Sequence, residues 1–445
     1  MSTDGEDTIA AVATAEGRAA IAVIRVSGTA AFEIAKRHVS PWPGGARHSV
    51  LCAVRDVNGE VLDEALVTTF VAPASFTGEN VVEIATHGGA IVPTLVLGAL
   101  LRSGARLAFP GEFTRRAVLN GKLDLVQAEA IGDLIDSTSR AMQRVAMTQL
   151  DGGLSRRIED LRNKIIGLEA LIAYDIDFPE EDDGPIPRTR VNAATREVTA
   201  SLSALLETAP AGELVRSGAL VVIAGAPNAG KSSLFNAMLG KSRAIVTEIP
   251  GTTRDAIEAV LDAGRWPLRL VDTAGLRETA DVVERLGIDV ATRYLESADV
   301  VLACGDSAED IRRTSGIISQ LTTAPVIGVR TKSDLAGAKG EQGVSAVTGD
   351  GVRDLLDTII RTISERYGNV PLDAPLLTRE RQRFCIEEAM REVRAFAAAL
   401  DDEGLPASVA AVHLRTAAGA LSDVTGTIDV EDVLDSLFRS FCVGK

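Results

Sequence analysis

The chain has 445 residues, of which 46% are hydrophobic and 24% are charged, and this length predicts two or three globular domains. Its formal net charge of −16 argues against a general electrostatic grip on nucleic acid, so any bound RNA needs local contacts or a partner protein. The acidic start MSTDGEDTIA lacks the order of a signal peptide and the four scattered cysteines lack metal-ligand spacing, so we expect a cytoplasmic protein with reduced thiols.

The first 118 residues alternate strand and turn signals. Two apolar runs, 48–57 and 60–71, flank Asn58-Gly59, which is a strong signal for a β-hairpin. Another strand-like run, 80–89, precedes a helix-like segment. This pattern predicts an α+β domain over residues 1–118.

An uncharged stretch of eighteen residues, Ile84 to Leu101, is long enough to be considered as a membrane span. It contains His87, Gly88-Gly89 and Pro93, which fit a strand, a turn and a buried helix better than a span. We therefore expect no membrane segment.

From Leu123 to Leu150 the apolar residues follow roughly one helical face, and the run 161–172 repeats that period. Residues 177–187 form an acidic, proline-rich break. Strands and helices then alternate, as in a parallel α/β sheet, before the chain becomes helical again after Pro371. We predict an all-helical domain made of two segments, 119–214 and 373–445, with an α/β domain inserted between them at 215–372.

The inserted domain opens with a phosphate-binding motif. The segment LVVIAGAPNAGKSSLFNAMLG (220–240) is an apolar strand, then G-x-x-x-x-G-K-S, then a helix. Gly225 and Gly230 let successive N–H groups of the backbone face phosphates. Lys231 can reach the terminal phosphoryl oxygens, and Ser232 can offer its hydroxyl to Mg²⁺.

Two further segments have the order expected of switch regions. A threonine of Gly251-Thr252-Thr253-Arg254-Asp255 can complete the Mg²⁺ shell and respond to the γ-phosphate. In LRLVDTAGLRE (268–278), Asp272 follows an apolar strand and can hold Mg²⁺ through water, while the Gly275 amide can meet the γ-phosphate. Each segment is weak alone, but their order is specific.

The segment Thr331-Lys332-Ser333-Asp334 predicts recognition of guanine. Asp334 can accept hydrogen bonds from the guanine N1 and N2 donors, and the Lys332 stem can lie over the base. Thr331 departs from the asparagine usual at this position, but some GTPase families also use threonine, so the departure weakens the prediction of base selectivity only a little. Ser345-Ala346 fits the loop whose backbone meets guanine O6. The motifs together predict a Ras-like P-loop GTPase (G) domain.

Hydrolysis needs a substitute for a missing side chain. Ras-like enzymes place glutamine just after D-x-x-G to orient water, but Leu276 occupies that position. The side-chain oxygen of Asn228 could hold a monovalent cation that neutralises charge on the transferred phosphoryl group, although a simple turn residue is an alternative. For Glu284, a solvated helix face is the default interpretation.

The order GAPNAGKS, GTTRD, DTAGLRE and TKSD resembles the tRNA-modification GTPase family MnmE (also called TrmE). The resemblance extends to the flanking segments SFTGENVVEIATHGG (75–89) and PGEFTRRAVLNGKLDLVQAEAI (110–131), and to the terminal FCVGK. A generic GTPase would share only the central part, so the flanks make the resemblance specific.

This resemblance implies a tetrahydrofolate-binding, dimerising N-terminal domain, a helical domain and a G domain whose hydrolysis depends on K⁺-promoted dimerisation. It implies a homodimer that works in a heterotetramer or larger complex with the FAD- and NADH-using partner MnmG (GidA). The complex would install an aminomethyl or carboxymethylaminomethyl group at C5 of wobble uridine. The carbon donor would be 5-formyl- or 5,10-methylene-tetrahydrofolate, and tRNA would be held mainly by the partner.

The resemblance also implies roles for individual residues. Glu284 would orient the attacking water. Mg²⁺ would be held by Ser232 and Thr253, and K⁺ by Asn228 with backbone oxygens of Thr247, Ile249 and Thr252. Folate would be contacted by Arg25, Glu83, Lys122 and Lys445. The GTP-binding residues would be Asn228, Ala229, Gly230, Lys231, Ser232, Ser233, Thr247, Glu248, Ile249, Pro250, Gly251, Thr252, Thr253, Asp272, Thr273, Ala274, Gly275, Thr331, Lys332, Asp334, Ser345 and Ala346.

The terminal cysteine has two interpretations. Gly444 and Lys445 do not fit a prenylation box, whereas FCVGK resembles the C-[ILV]-G-K signature of the family. Cys442 could be a nucleophile or proton carrier near the one-carbon unit, or a small apolar residue that ends a helix.

Two other functions stay open from the residues alone. The first is a regulatory or ribosome-assembly switch GTPase without modification chemistry, which would have no need of a folate pocket. The second is a scaffold with a decayed G domain, against which the intact Lys231, Ser232, Thr253, Asp272 and Asp334 argue.

Overall fold

A computed structural model describes residues 7–15, 17–177, 187–241, 257–273, 292–335, 343–368, 370–401, 407–426 and 444. Its internal contacts divide the chain into two compact units, Met1–Gly132 with Thr425–Lys445, and Asp133–Val424. The second unit contains both helical and α/β segments, so the three-domain boundaries expected from the sequence stay a prediction. None of the helices in these described ranges is long and apolar enough to cross a membrane.

The first unit is built on a seven-stranded sheet with the order β3-β4-β5-β6-β2-β1-β7. All neighbours pair antiparallel except β1 and β7, which are parallel. Its elements are β1 Ile9–Val12, β2 Ile21–Ser27, α1 Ala31–Lys36, β3 Val39–Ser40, β4 Val50–Arg55, β5 Val61–Phe70, β6 Val81–His87, α2 Val92–Arg102, β7 Arg106–Leu107, α3 Glu112–Leu119 and α4 Leu125–Asp136, the last of which runs into the second unit.

Alternating apolar residues in the strands explain how this sheet packs. Ile24, Ile84 and Val67 point to the same face and share a buried core with Leu100 of α2. The predicted hairpin at Asn58-Gly59 is confirmed, because β4 and β5 pair on either side of it. The stretch 84–101 is a strand, a turn and a partly buried helix, as predicted.

The helical part of the second unit comprises α5 Arg140–Leu150, α6 Gly153–Asp177, α7 Arg188–Leu206, α8 Ala209–Ser217, α12 Glu380–Asp401 and α13 Ala407–Thr425. The predicted apolar face of 161–172 is buried. The prediction of a single helical face from Leu123 to Leu150 is wrong, because two helices cover this stretch: α4 ends at Asp136 and α5 begins at Arg140. The Ser139 hydroxyl accepts a hydrogen bond from the Met142 amide and starts a new helix there.

The α/β part is a five-stranded sheet with the order β12-β11-β8-β10-β9. Its central strand β8 pairs in parallel with β10 on one side and with β11 on the other. The strands that follow β8 in sequence therefore lie on both sides of it, and the strand order changes direction at β8. A crevice at the carboxyl ends of the strands is expected where the order switches in this way. The elements are β8 Ala219–Gly225, α9 Lys231–Lys241, β9 Ile257–Asp262, β10 Pro267–Asp272, β11 Val300–Gly305, α10 Ala308–Ile318, β12 Val326–Arg330 and α11 Val352–Tyr367.

The edge strand β9 departs from the parallel sheet expected from the sequence. It pairs antiparallel with β10, and only residues 263–266 separate the two strands. A connection this short permits a hairpin but not the crossover that a parallel pair requires.

Candidate functional sites

The P-loop follows the central strand of the five-stranded sheet. A β-carbon added to Gly225 would lie 2.5 Å from the carbonyl oxygen of Cys304, so only glycine fits beside β11. Gly230 has a φ of +77°, which favours glycine, and α9 begins directly after it at Lys231. The sequence therefore folds into a loop that leads to the positive end of a helix dipole, where phosphate binds favourably.

Lys231 and the magnesium candidates lie together at this helix start. The Lys231 side chain is buried and its Nζ donates to the carbonyl oxygen of Ala226 at 2.9 Å. Ser232 Oγ donates to Asp272 Oδ2 at 2.6 Å, although forty residues separate them. The structure thus brings three of the predicted site residues to the ends of two adjacent strands.

The donors at this point suit Mg²⁺. A serine hydroxyl and one carboxylate are hard oxygen ligands, and Mg²⁺ in nucleotide sites takes few protein ligands and completes its shell with phosphate and water. Among the residues that the structure describes, no group of three or more His, Cys, Asp or Glu side chains could hold a metal by itself. The residues present therefore fit a magnesium ion that arrives with a phosphate ligand.

The thiol of Cys304 lies close to the P-loop but is not a nucleophile. Cys304 is buried at the end of β11, and burial raises the pKa of its thiol to about 12. The thiol is therefore protonated at neutral pH, and the protonated form does not attack electrophiles.

The predicted base-binding segments lie at the same edge of the sheet. Val344 donates its amide to the carbonyl oxygen of Arg330 at 2.8 Å, and Ser333 donates to that of Val344 at 3.3 Å. These two bonds place Ser345-Ala346 beside the Thr331–Asp334 loop. The Asp334 side chain is exposed, and Ser345 is buried with its hydroxyl oxygen accepting from the Thr348 amide.

Asp306, which the sequence did not single out, lies near the predicted base site. Its carboxylate lies 3.8 Å from Lys332 Nζ, and it directly follows β11 at the carboxyl end of the sheet. A polar residue after a fully apolar strand, VVLACG, was the available signal. Lys332 has a left-handed backbone with a φ of +55°, and its ion pair with Asp306 lies beside the predicted base site.

The predicted K⁺ ligand Asn228 is described, with an exposed side chain and a φ of +60°. Several other predicted residues are not placed by the structure. The residues that lie outside the described ranges are Thr247, Glu248, Ile249, Pro250, Gly251, Thr252, Thr253, Ala274, Gly275, Leu276, Glu284, Cys442 and Lys445.

The first unit carries the predicted folate residues. Arg25 and Glu83 are register partners on β2 and β6, and Arg25 Nε and Nη2 both donate to Glu83 Oε1, at 3.0 and 2.8 Å. The guanidinium also lies over the rings of Phe76 and Phe113, 5.4 and 5.6 Å from their centroids. The arrangement combines charged hydrogen-bonding groups with aromatic surface, as a site for a flat polar ring requires.

The loop that carries Phe76 is held in place from two sides. The Lys122 stem packs against Gly78, and its Nζ donates to the carbonyl oxygen of Pro73 at 3.1 Å. Glu79 accepts from the buried Arg116 at 3.1 Å. Lys122 and the Arg25–Glu83 pair therefore border the same loop.

The chain terminus reaches this unit. Gly444 is buried, and a β-carbon added to it would lie 2.4 Å from the carbonyl oxygen of Val12 on β1. The neighbouring residue Ala11 is the register partner of Arg25. Gly444 thus packs beside the strand that adjoins the candidate folate residues.

The comparisons with known proteins agree across the whole chain. A model of the MnmE helical domain matches residues 125–442, and a model of the N-terminus of GTP-binding protein TrmE matches residues 8–122. The tRNA modification GTPase MnmE of Heliobacterium modesticaldum is 42% identical over 470 residues, covering 99% of each chain. That of Akkermansia muciniphila is 40% identical over 456 residues, covering 100% of each chain.

Among solved structures, the G domain of the T. maritima FeoB iron transporter is 26% identical and covers 32% of this chain and 98% of its own. Its TM-score of 0.26 is too low to carry a structural argument. The full-length identities and the two domain models do not depend on it. The chain belongs to the MnmE family of tRNA modification GTPases.

Proposed function

We propose that this chain binds and hydrolyses GTP in its inserted α/β segment and serves the modification of tRNA. The observation that carries the nucleotide part is the junction of Lys231, Ser232 and Asp272 at the start of α9. The P-loop, the Ser232–Asp272 oxygen pair that suits Mg²⁺, and the Thr331–Asp334 loop predicted to bind guanine all lie at one edge of the sheet. The names of the full-length relatives support the tRNA part.

The chain's own residues divide the work on the nucleotide. Amides of the P-loop bind the phosphates, and Lys231 exchanges its bond to Ala226 for a phosphoryl oxygen. Ser232 and Asp272 would hold Mg²⁺, and the ion would neutralise phosphate charge when it is bound. Asp334 and Ser345-Ala346 read the base, so the substrate is a guanine nucleotide.

Hydrolysis in this proposal depends on a K⁺ ion beside Asn228. The support is chemical, because Leu276 cannot orient water and Asn228 carries an exposed oxygen on the P-loop. Asn228 would share the ion with backbone oxygens of Thr247, Ile249 and Thr252, and two G domains would meet around it. Glu284 would orient the attacking water.

We expect Asn228→Ala to lower K⁺-stimulated turnover roughly tenfold or more, because the ion loses its one side-chain ligand. Turnover should be measured in potassium and in sodium buffers of equal ionic strength. Asn228→Gly, which suits the φ of +60°, should lose K⁺ stimulation to the same extent as the alanine variant. Asn228→Asp keeps a side-chain oxygen and should retain K⁺ stimulation. Full K⁺ stimulation in the alanine and glycine variants would refute this ligand assignment.

Glu284→Ala should slow GTP hydrolysis about 100-fold while GTP affinity stays near normal, because the carboxylate acts on water and not on the bound nucleotide. Single-turnover hydrolysis and equilibrium binding of a non-hydrolysable GTP analogue separate the two effects. A large loss of affinity would contradict a water-positioning role.

The carbon chemistry belongs to the first unit. We propose that Arg25, Glu83, Lys122 and Lys445 bind a tetrahydrofolate, 5-formyl- or 5,10-methylene-, as the one-carbon donor. The Arg25–Glu83 pair, the rings of Phe76 and Phe113 and the arrival of Gly444 beside β1 support this. Cys442, two residues before Gly444, keeps both of its interpretations.

Folate binding can be tested on the full chain with 5-formyltetrahydrofolate. We expect saturable binding that weakens about tenfold in Glu83→Gln, because a neutral amide accepts weaker hydrogen bonds from the amino and amide donors of a pterin. Glu64→Gln, an exposed carboxylate on β5, is the matched control and should bind normally. Absence of saturable binding in the unaltered chain would favour the switch-GTPase alternative.

The wider assembly is also a proposal. We infer a cytoplasmic homodimer that acts with an MnmG-type flavoprotein, which would supply FAD and NADH chemistry and most contacts to tRNA. The net charge of −16 supports an indirect hold on RNA. Leu51 and Leu66, cross-strand neighbours opposite the helix-covered sheet face, are 59% and 46% exposed and support a protein contact there.

Mass analysis of tRNA nucleosides from a strain that lacks the protein tests the proposed function as a whole. The expected outcome is wobble uridine that lacks its C5 aminomethyl or carboxymethylaminomethyl group. Reintroducing the unaltered gene should restore that group. Normal nucleosides in the deletion strain would refute the modification role and leave only the nucleotide chemistry.

A further inference from the structure

Thr331 makes a contact that its position in the base-binding motif did not predict. Its hydroxyl donor lies 2.7 Å from the carbonyl oxygen of Ala229 in the P-loop and 3.1 Å from that of Gly305. The side chain is 5% exposed. A β-carbon added to Gly230 would lie 3.3 Å from the β-carbon of Thr331, so the P-loop packs directly on this residue.

The donors of Thr331 are fully used by these contacts. A threonine hydroxyl has one proton, and both nearby oxygens are carbonyls that can only accept it. The backbone N–H of Thr331 donates to Gly305 at 2.9 Å. An asparagine has two amide protons, so it could hold a P-loop carbonyl and still offer one donor to a base. Threonine at this position cannot do both.

We propose that Thr331 is a positioning residue that fixes the P-loop through Ala229 and leaves N7 of guanine without a hydrogen bond. N7 and O6 are both acceptors on one edge of guanine. The backbone at Ser345-Ala346 would donate to O6, and the Asp334 carboxylate would accept from the N1 and N2 donors. Guanine recognition in this chain therefore rests on N1, N2 and O6. This inference rests on the proposed binding of guanine nucleotides.

The test compares GDP with 7-deaza-GDP, in which a C–H group replaces N7, on the full unaltered chain by calorimetry or competition. The two Kd values should agree within about threefold, because no hydrogen bond is lost. Inosine diphosphate, which lacks the N2 amino group read by Asp334, should bind about tenfold or more weakly and shows that the assay detects base contacts. A tenfold preference for GDP over 7-deaza-GDP overturns the inference.

Variants separate positioning from base reading. Thr331→Val keeps the packing on Gly230 but removes the hydroxyl, so both GDP and 7-deaza-GDP should bind roughly tenfold more weakly with an unchanged ratio. Thr331→Ser restores the hydroxyl and should restore affinity. Thr331→Asn adds an amide donor and should create a GDP preference of about fivefold. Thr331→Val could instead change the ratio of the Kd values for GDP and 7-deaza-GDP without weakening the binding of both nucleotides. In that case Thr331 contacts the base and the inference fails.

The outcomes also separate this inference from the proposed function. If the chain does not bind GDP at all, the proposed nucleotide chemistry fails. If it binds GDP and discriminates strongly against 7-deaza-GDP, only the role of Thr331 fails.

Discussion

Lys231→Ala is expected to lower the affinity for GDP and GTP by about 1,000-fold or more, which places it below detection in most binding assays. The Lys231 side chain is buried at the start of α9, where its ammonium donates to the Ala226 carbonyl oxygen, and a bound phosphate would take the place of that carbonyl. Removing a buried cation leaves the phosphate charges without their nearest counter-charge. Equilibrium binding of a fluorescent GDP analogue measures the loss.

A matched control lies on the same helix. Asn236 is exposed on α9, so Asn236→Ala should leave binding unchanged. Circular dichroism and the midpoint of thermal unfolding should be similar for the two variants, which would exclude global unfolding as the cause. If Lys231→Ala bound GDP within tenfold of the unaltered chain, the P-loop assignment would be wrong.

Asp334→Asn should exchange guanine for xanthine specificity. In the proposed site the Asp334 carboxylate would accept from two donors of guanine, whereas an amide would present an N–H where guanine N2 also presents one. The loss of two charge-assisted hydrogen bonds predicts a fall in GDP affinity of about 1,000-fold. Xanthine has a carbonyl at C2, so the amide of the variant can accept from N1–H and donate to that oxygen.

The reciprocal measurement is the control for this variant. Xanthosine diphosphate should bind weakly to the unaltered chain and tightly to Asp334→Asn, which shows that the variant is folded. A variant that still preferred GDP would mean that Asp334 does not face the N1 and N2 edge. Competition against a fluorescent nucleotide gives all four Kd values in one assay.

Local motifs explain why much of the nucleotide site was predictable. G-x-x-x-x-G-K-S specifies a backbone path through its own glycines, so Gly225, Gly230 and Lys231 were found from neighbours in sequence. The hairpin at Asn58-Gly59 was predictable for the same reason. Periodicity also gave the buried face of 161–172, whose partners are adjacent helices.

Contacts between distant segments were not predictable in this way. Motif order had placed Ser232 and Asp272 at one predicted Mg²⁺ site, but their direct hydrogen bond needs β8 and β10 to be neighbours, which spacing does not reveal. The antiparallel β9 was missed because apolar runs look alike in either direction. The packing of Gly444 against Val12 joins the two ends of the chain, and no local pattern encodes that pairing.

The sequence alone determined the order of the motifs, the family resemblance and the identity of the groups that can bind phosphate, magnesium and guanine. Only the tertiary structure decided how those groups are used. Thr331 illustrates the difference, since its hydroxyl is committed to the Ala229 carbonyl, 102 residues away along the chain. A side chain has few donors, and the fold, by choosing their partners, fixes which interactions are left for a ligand.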